Sequence, residues 1–235
     1  MQVSQIYITD AGQAPPPFIR SSIDSVKDLF PEFKHVLYGL ESARAYLQEK
    51  FEPDVLQAFD RLNPYAYKSD LLRYALMYEE GGWYFDSAVR PIQKVNVPDS
   101  VDMIVFKDMP IFSQTTWTCA NTVLYAKPKQ AVYAQCIEII LEHVKNKYYG
   151  TNALSPTGPS VLGKAMAAYG ERPDIVVGDF IFLTPLHSQR NSAFVLPDGL
   201  ILALGKPAAG GDLSQLGAKG SNNYNFFYQT RTVYK

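Results

Sequence analysis

The sequence predicts an α/β fold with a mainly parallel central sheet flanked by helices, and three observations carry that expectation. Short apolar, β-branched or aromatic runs alternate with longer stretches of helical periodicity through the first half of the chain. The segment 68–91, KSDLLRYALMYEEGGWYFDSAVRP, joins a helical pattern to an aromatic strand through a glycine pair. A hydrophobic content of 47% against 19% charged residues, over 235 residues, supplies enough apolar surface for one substantial core.

Residues 5–9 read as a first strand, followed by a turn in which Pro15, Pro16 and Pro17 exclude helix. Residues 18–30 repeat at helical spacing until Pro31 stops them, 35–38 form a second strand, and 41–50 form a short helix. The stretch before Pro64 is helical as well. Ser69 is expected to cap the next helix, placing Asp70 in its first turn at the positive end of the helix dipole. Leu71, Leu72, Ala75 and Leu76 form the apolar stripe of that helix, while Asp70, Arg73, Tyr74 and Met77 share another face. Gly81 and Gly82 stop it. Trp83, Tyr84 and Phe85 then make a short buried strand with Asp86 at its carboxyl end, where open α/β sheets bind ligands.

Further along, 101–106 is a strand, and 117–126 is another, interrupted by Asn121. An amphipathic helix over 128–147 follows, with Val132, Cys136, Ile139, Ile140 and Val144 as its core face. Residues 155–169 are a turn and a helix, 174–182 a strand, and 194–204 a hairpin around Pro197, Asp198 and Gly199. Residues 205–223 are rich in Gly, Ser and Asn. They read either as a surface loop or as a lid that closes over a ligand before the aromatic segment 224–228.

Composition excludes several classes. A net charge of −1 gives no strong pull towards nucleic acid or an anionic membrane. There is no apolar run long enough to span a bilayer, and the first residues lack a basic, then apolar, secretory pattern, so a cytoplasmic protein is expected. Cys119 and Cys136 show no metal or disulfide spacing and read as reduced thiols. His35, His143 and His187 are scattered, and no G-x-S-x-G, P-loop or G-x-G-x-x-G motif occurs.

Singly, an Asp and an Arg three apart are a surface ion pair, and a glycine pair is a helix cap. Together, Ser69, Asp70, Arg73 and Tyr74 (S-D-x-x-R-Y), then Gly81, Gly82, Tyr84 and Asp86, resemble glycosyltransferase family 32, the DXD-motif sugar transferases, and the related glucosylating toxins. The resemblance extends over roughly residues 5–165, through IYITDAG, the following helix, Asn121, the long helix and T-G-P. It implies a single GT-A type domain over 1–235. The nucleotide-sugar-binding half would be about 1–126, and the acceptor-side and lid region about 127–235. It further implies retaining transfer from a nucleotide-diphosphate sugar to a glycan or glycolipid acceptor, in the biosynthesis of a surface polysaccharide or similar glycan.

Carried over residue by residue, the resemblance implies catalytic roles for Asp70, Arg73 and Asp86. It implies donor contacts from Tyr7, Thr9, Asp70, Arg73, Tyr84, Asp86 and Asn121. A Mn²⁺ or Mg²⁺ ion would sit on Asp86, Ser221 and Asn223, with Lys219 and Arg231 available to neutralise phosphate. One position departs from the pattern: Ala88 stands where the second Asp of the motif belongs, and alanine cannot coordinate. Three explanations follow. Other groups hold the metal; or Arg and Lys side chains neutralise the diphosphate without one; or the site binds sugar nucleotide without turnover, as a pseudoenzyme or an inactivated variant.

Overall fold

The structure, a computed structural model, describes residues 1–109, 115, 117–183, 190–206, 213–218 and 223–235. Strand β1 (Gln2–Ile6), helix α1 (Pro17–Leu29) and strand β2 (Lys34–Tyr38) open the chain. Pro17 sits at the first helical turn of α1, where its missing N–H would have had no partner in any case. Helices α2 (Leu40–Lys50), α3 (Pro53–Arg61) and α4 (Tyr65–Glu79) then lead into β3 (Gly82–Phe85). Strands β4 (Arg90–Pro91), β5 (Met103–Lys107) and β6 (Cys119–Ala126) follow, then helices α5 (Ala131–Lys145) and α6 (Pro159–Tyr169). Strands β7 (Ile175–Phe182), β8 (Ser192–Val195) and β9 (Ile201–Leu204) and helix α7 (Tyr224–Gln229) complete the fold.

The nine strands make one sheet in the order β2-β1-β3-β6-β5-β7-β8-β9-β4. A mainly parallel sheet is not what forms: the sheet is mixed and mostly antiparallel. Only β1–β2, β1–β3 and β5–β7 pair in parallel. The remaining neighbours, β3–β6, β5–β6, β7–β8, β8–β9 and β4–β9, are antiparallel. The cause lies in the connections. Parallel neighbours need a long crossover, and α1 and the α2–α4 group supply one on each side of β2. Strand β6 instead runs back between β3 and β5, and the hairpin turn at Gly199 (φ 87°) reverses β8 into β9.

Side chains alternate across the sheet and build a core on each face. Tyr84 joins the helix-covered cluster with Leu71, Leu76, Leu124 and Ile140, whereas Trp83 and Phe85 join the opposite cluster with Val26, Phe30 and Phe106. Helix α4 starts earlier than expected. Pro64 occupies its N-cap, and Ser69 lies inside, where its Oγ donates to the Tyr65 carbonyl at 2.8 Å. Asp70 is therefore mid-helix and receives no benefit from the helix terminus. Nearly every residue from Tyr67 to Met77 is buried, so the expected stripe is only half of the story: α4 is a central helix with its polar face buried too.

The glycine pair does more than end α4. Gly81 (φ 60°) and Gly82 (φ 77°) both adopt the left-handed region, and a Cβ on Gly82 would lie 2.0 Å from the Gln2 carbonyl oxygen. That close approach lets β3 seat directly against β1. Strand β6 is continuous through Asn121 rather than interrupted. On α5 the buried face uses Tyr133 and Ile137 beside Val132, Cys136, Ile140 and Val144, with Ile139 at its edge. Among the described residues, no helix is long and apolar enough to cross a membrane.

Candidate functional site

A cavity of about 400 Å³ opens above the carboxyl ends of β3 and β5 and the start of β6. Its floor is a charged cluster that the sequence scatters over fifty residues. Helix α4 projects Asp70 and Arg73 one turn apart, and their side chains meet at 3.3 Å. The same Arg73 Nη2 reaches Asp86 Oδ1 at 3.1 Å, so one guanidinium joins the helix to the end of β3. Arg73 Nη1 donates to the Asn121 carbonyl at 2.6 Å, and its plane lies over the Tyr84 ring at 4.8 Å. Tyr84 in turn donates its hydroxyl to Asp86 Oδ1 at 2.7 Å.

Asp70 is held on both oxygens. Asn121 Nδ2 donates to Oδ1 at 2.9 Å, and the Thr157 hydroxyl donates to Oδ2 at 2.7 Å. Asn121 Nδ2 also donates to the Tyr74 hydroxyl at 3.0 Å, which donates to the Gly158 carbonyl at 3.2 Å. Burial pushes the Asp70 carboxyl above its ordinary range, while Arg73, Thr157 and Asn121 pull it back. Burial alone would weaken the hold of Arg73 on its proton. Asp86, Tyr84 and Asp70 outweigh that and keep the guanidinium more firmly charged than usual. The cluster is thus a preorganised ionic network in a low-dielectric pocket, one that presents hydrogen-bonding groups without needing to rearrange.

Asp70, Arg73, Tyr84, Asp86 and Asn121 therefore come together at one cavity wall. Other residues singled out from sequence do not. Ile6 and Ile8 line the cavity, whereas Tyr7 points to the other face and packs with Ile19, Ile23 and Ala218, as period-two alternation along an extended segment requires. The Thr9 hydroxyl donates to the Gln13 carbonyl at 3.4 Å, and Thr9 is not among the lining residues. Asn223 is exposed and caps α7 by accepting from the Phe226 N–H at 3.1 Å. Arg231 lies over the rings of Tyr149 and Tyr228, away from the cavity. Ser221, Lys219 and His187 lie outside the described residues. So does much of the expected lid; of its described part, Lys206 and Leu213 line the cavity.

Sequence reasoning passed over several groups on or behind the cavity wall. Thr157 has a visible signal, T-G-P before a helix, and the hydroxyl lands on Asp70. Tyr67 and Tyr224 stack at 5.8 Å and both line the cavity, with no sequence signal to connect residues so far apart. Asp108, Phe180 and Phe182 line it as well.

Ala88 is buried, and its carbonyl accepts from Arg190 Nη1 at 2.7 Å. Among the described residues no divalent-cation site is assembled. Asp86 is the one motif carboxylate, its Oδ1 is engaged by Arg73 and Tyr84, and Ala88 offers no side-chain oxygen. Among the described residues no cluster of three His, Cys, Asp or Glu side chains could hold a metal ion.

A mixed α/β sheet with a carboxylate–guanidinium cluster at its strand ends places a candidate ligand pocket where open α/β sheets bind small molecules. Comparison with known proteins narrows the class. Residues 16–117, which carry α1 to β5 and both motif positions, match the family described as glycosyltransferase sugar-binding region containing DXD motif. An uncharacterized glycosyltransferase of Acanthamoeba polyphaga mimivirus is 23% identical over 171 residues, which is 71% of this chain and 66% of that protein. The chain thus matches just under two thirds of that relative's length. Among solved structures, the PaToxG glycosyltransferase superposes with a TM-score of 0.53 at 15% identity, covering 72% of this chain and 69% of that one. A glycosyltransferase involved in the glycosylation of the major capsid of PBCV-1 superposes at 0.42 and 10% identity, over 76% and 82% of the two chains. The first of these two shows a shared fold, in line with the GT-A-like architecture that the sequence implies.

Proposed function

We propose that this chain is a glycosyltransferase of the family 32 type, which binds a nucleotide-diphosphate sugar in the cavity and transfers its glycosyl group to a hydroxyl of a glycan or glycolipid. The observation that carries the reading is the convergence of Asp70, Arg73, Tyr84, Asp86 and Asn121 on one wall, inside or beside the segment that matches a sugar-binding family. In this reading Asp70 and Asp86 accept hydrogen bonds from donor hydroxyls. Arg73 fixes both carboxylates and takes up part of the charge that grows as the bond to phosphate breaks. Asn121 and Tyr84 hold that set in place. Retention of anomeric configuration, a role in surface polysaccharide assembly and a cytoplasmic site of action rest on the family resemblance.

The DXD family implies a divalent cation and the described donor groups do not fit one, so no step is routed through a metal. In this reading Lys206, a cation on the cavity lining besides Arg73, meets the diphosphate. The missing carboxylate at Ala88 favours one further reading, a sugar-nucleotide-binding protein without turnover. Thermal shift and product release with UDP-glucose, UDP-N-acetylglucosamine and GDP-mannose, with and without Mn²⁺, separate the two in the natural sequence and in Ala88→Asp. Turnover without added metal supports the transferase reading as stated. Donor binding with no turnover in either form supports the pseudoenzyme. Unchanged donor binding in Asp70→Asn would remove the site assignment altogether.

A further inference from the structure

Asp108 is a second kind of carboxylate in the same cavity, and the donor-binding cluster does not use it. It follows β5 directly, as Asp86 follows β3, and β6 lies between the two. The Asp86 N–H donates to the Thr122 carbonyl at 2.9 Å and the Asp108 N–H to the Thr118 carbonyl at 3.0 Å. Both carboxylates line the cavity, at the ends of the two strands that flank β6.

The surroundings of Asp108 differ from those of a structural ion pair. Its Oδ1 accepts from the Met109 N–H at 2.9 Å, and among the described residues the second oxygen has no partner. The neighbouring Lys107 is committed to Asp179 of β7 at 2.9 Å. From β6 the nearest titratable group is the Cys119 thiol, which burial and then Asp108 push up to about 11, so it is neutral near pH 7. The other charged groups on the cavity are Asp70, Arg73 and Asp86, locked to one another, and Lys206. Burial, only partly offset by the Met109 N–H, raises the Asp108 carboxyl to about 6. A group that changes charge near neutrality can both hold and accept a proton under working conditions.

We propose that Asp108 is the catalytic base that binds the attacking hydroxyl and takes its proton. This rests on the transferase reading above. In the step, the acceptor oxygen forms the new bond to the sugar's C1, and the bond from C1 to the diphosphate oxygen breaks with its electron pair staying on phosphate. The O–H proton passes to an Asp108 oxygen. The balance is the same whichever face of the sugar is attacked, and water in place of the acceptor gives donor hydrolysis by the same route. Met109, Phe180 and Phe182 line the same cavity.

Hydrolysis of the three sugar nucleotides named above, followed as nucleoside diphosphate release between pH 5 and 9, tests this on the full chain. Donor affinity is measured in parallel by calorimetry. The wild-type rate should fall as pH drops through about 6, because the protonated carboxyl cannot accept. Asp108→Asn should lower the rate at pH 7.5 by about 100-fold or more, lose the acid limb and change donor affinity by less than about twofold. Asp108→Glu should recover part of the rate with a shifted limb, which a merely structural role would not produce. An unchanged rate and pH profile in Asp108→Asn overturns the proposal, and so does a loss of donor affinity in that variant. Wild-type protein that binds donor and hydrolyses none overturns it too, while leaving the donor site standing. Wild-type protein that binds none of the donors removes the transferase reading itself.

Discussion

The two carboxylates flanking β6, Asp86 and Asp108, sit at matching strand ends and are treated in opposite ways. Asp86 shares Arg73 with Asp70, accepts from Tyr84 and belongs to a network in which one guanidinium holds two carboxylates in place. Among the described residues Asp108 has one main-chain N–H and no cation, so burial dominates and its proton affinity rises. Ion pairing in a buried site freezes charge and geometry, which suits holding a ligand in one pose. A buried carboxylate without a counter-charge keeps its ability to change protonation, which suits moving a proton.

Breaking the paired side should have the largest effect. Arg73→Ala leaves Asp70 and Asp86 facing one another without a cation, and a loss of about 3–5 kcal/mol in unfolding stability is expected by denaturant titration at pH 7. A loss below 1 kcal/mol would mean that water already screens the cluster. The unpaired side should respond with the reverse sign. Asp108 binds its proton more tightly folded, at about 6, than the ordinary value of 3.8. Its contribution to stability is therefore greatest below the ordinary value and is lost as pH rises towards 6. Asp108→Asn should consequently unfold at higher denaturant than wild type at pH 8, by up to about 3 kcal/mol, with the difference shrinking towards pH 4.

Two smaller effects sharpen the contrast. Thr157→Val removes the hydroxyl from Asp70 Oδ2 and should cost about 2 kcal/mol, measured as a lowered melting temperature, with donor affinity falling as Asp70 loosens. Ala88→Asp adds a carboxylate beside the paired side and at a buried position. It should lower stability by about 1 kcal/mol without metal and regain it when Mn²⁺ is added, read as a metal-dependent shift in melting temperature. No response to Mn²⁺ would show that the position cannot serve as a ligand even when the missing oxygen is restored.

Local pattern alone located most elements to within a few residues, because apolar periodicity and proline or glycine breaks act over short range. Within the site, Asp70 and Arg73 were legible as a pair because helical spacing makes them neighbours, and Asp86 because it ends an aromatic strand beside a glycine pair. The start of α4 was not: Ser69 has the chemistry of a cap, but Pro64 and the burial of the preceding turn extend the helix past it. The side to which Tyr7 turns was not legible either, since the face a side chain takes depends on the register of β1, which begins three residues earlier than its apolar run suggests.

By itself, then, the sequence determined the α/β character, the helix–glycine–strand corner and the absence of a carboxylate at Ala88, all matters of residue type and near-neighbour spacing. Tertiary structure alone decided the mixed strand order, the placing of Thr157 and Asn121 on Asp70, and the burial of Asp108. Strand pairing and pocket electrostatics depend on which distant segments meet, and a carboxylate's proton affinity is set by the charges and solvent that surround it in the fold.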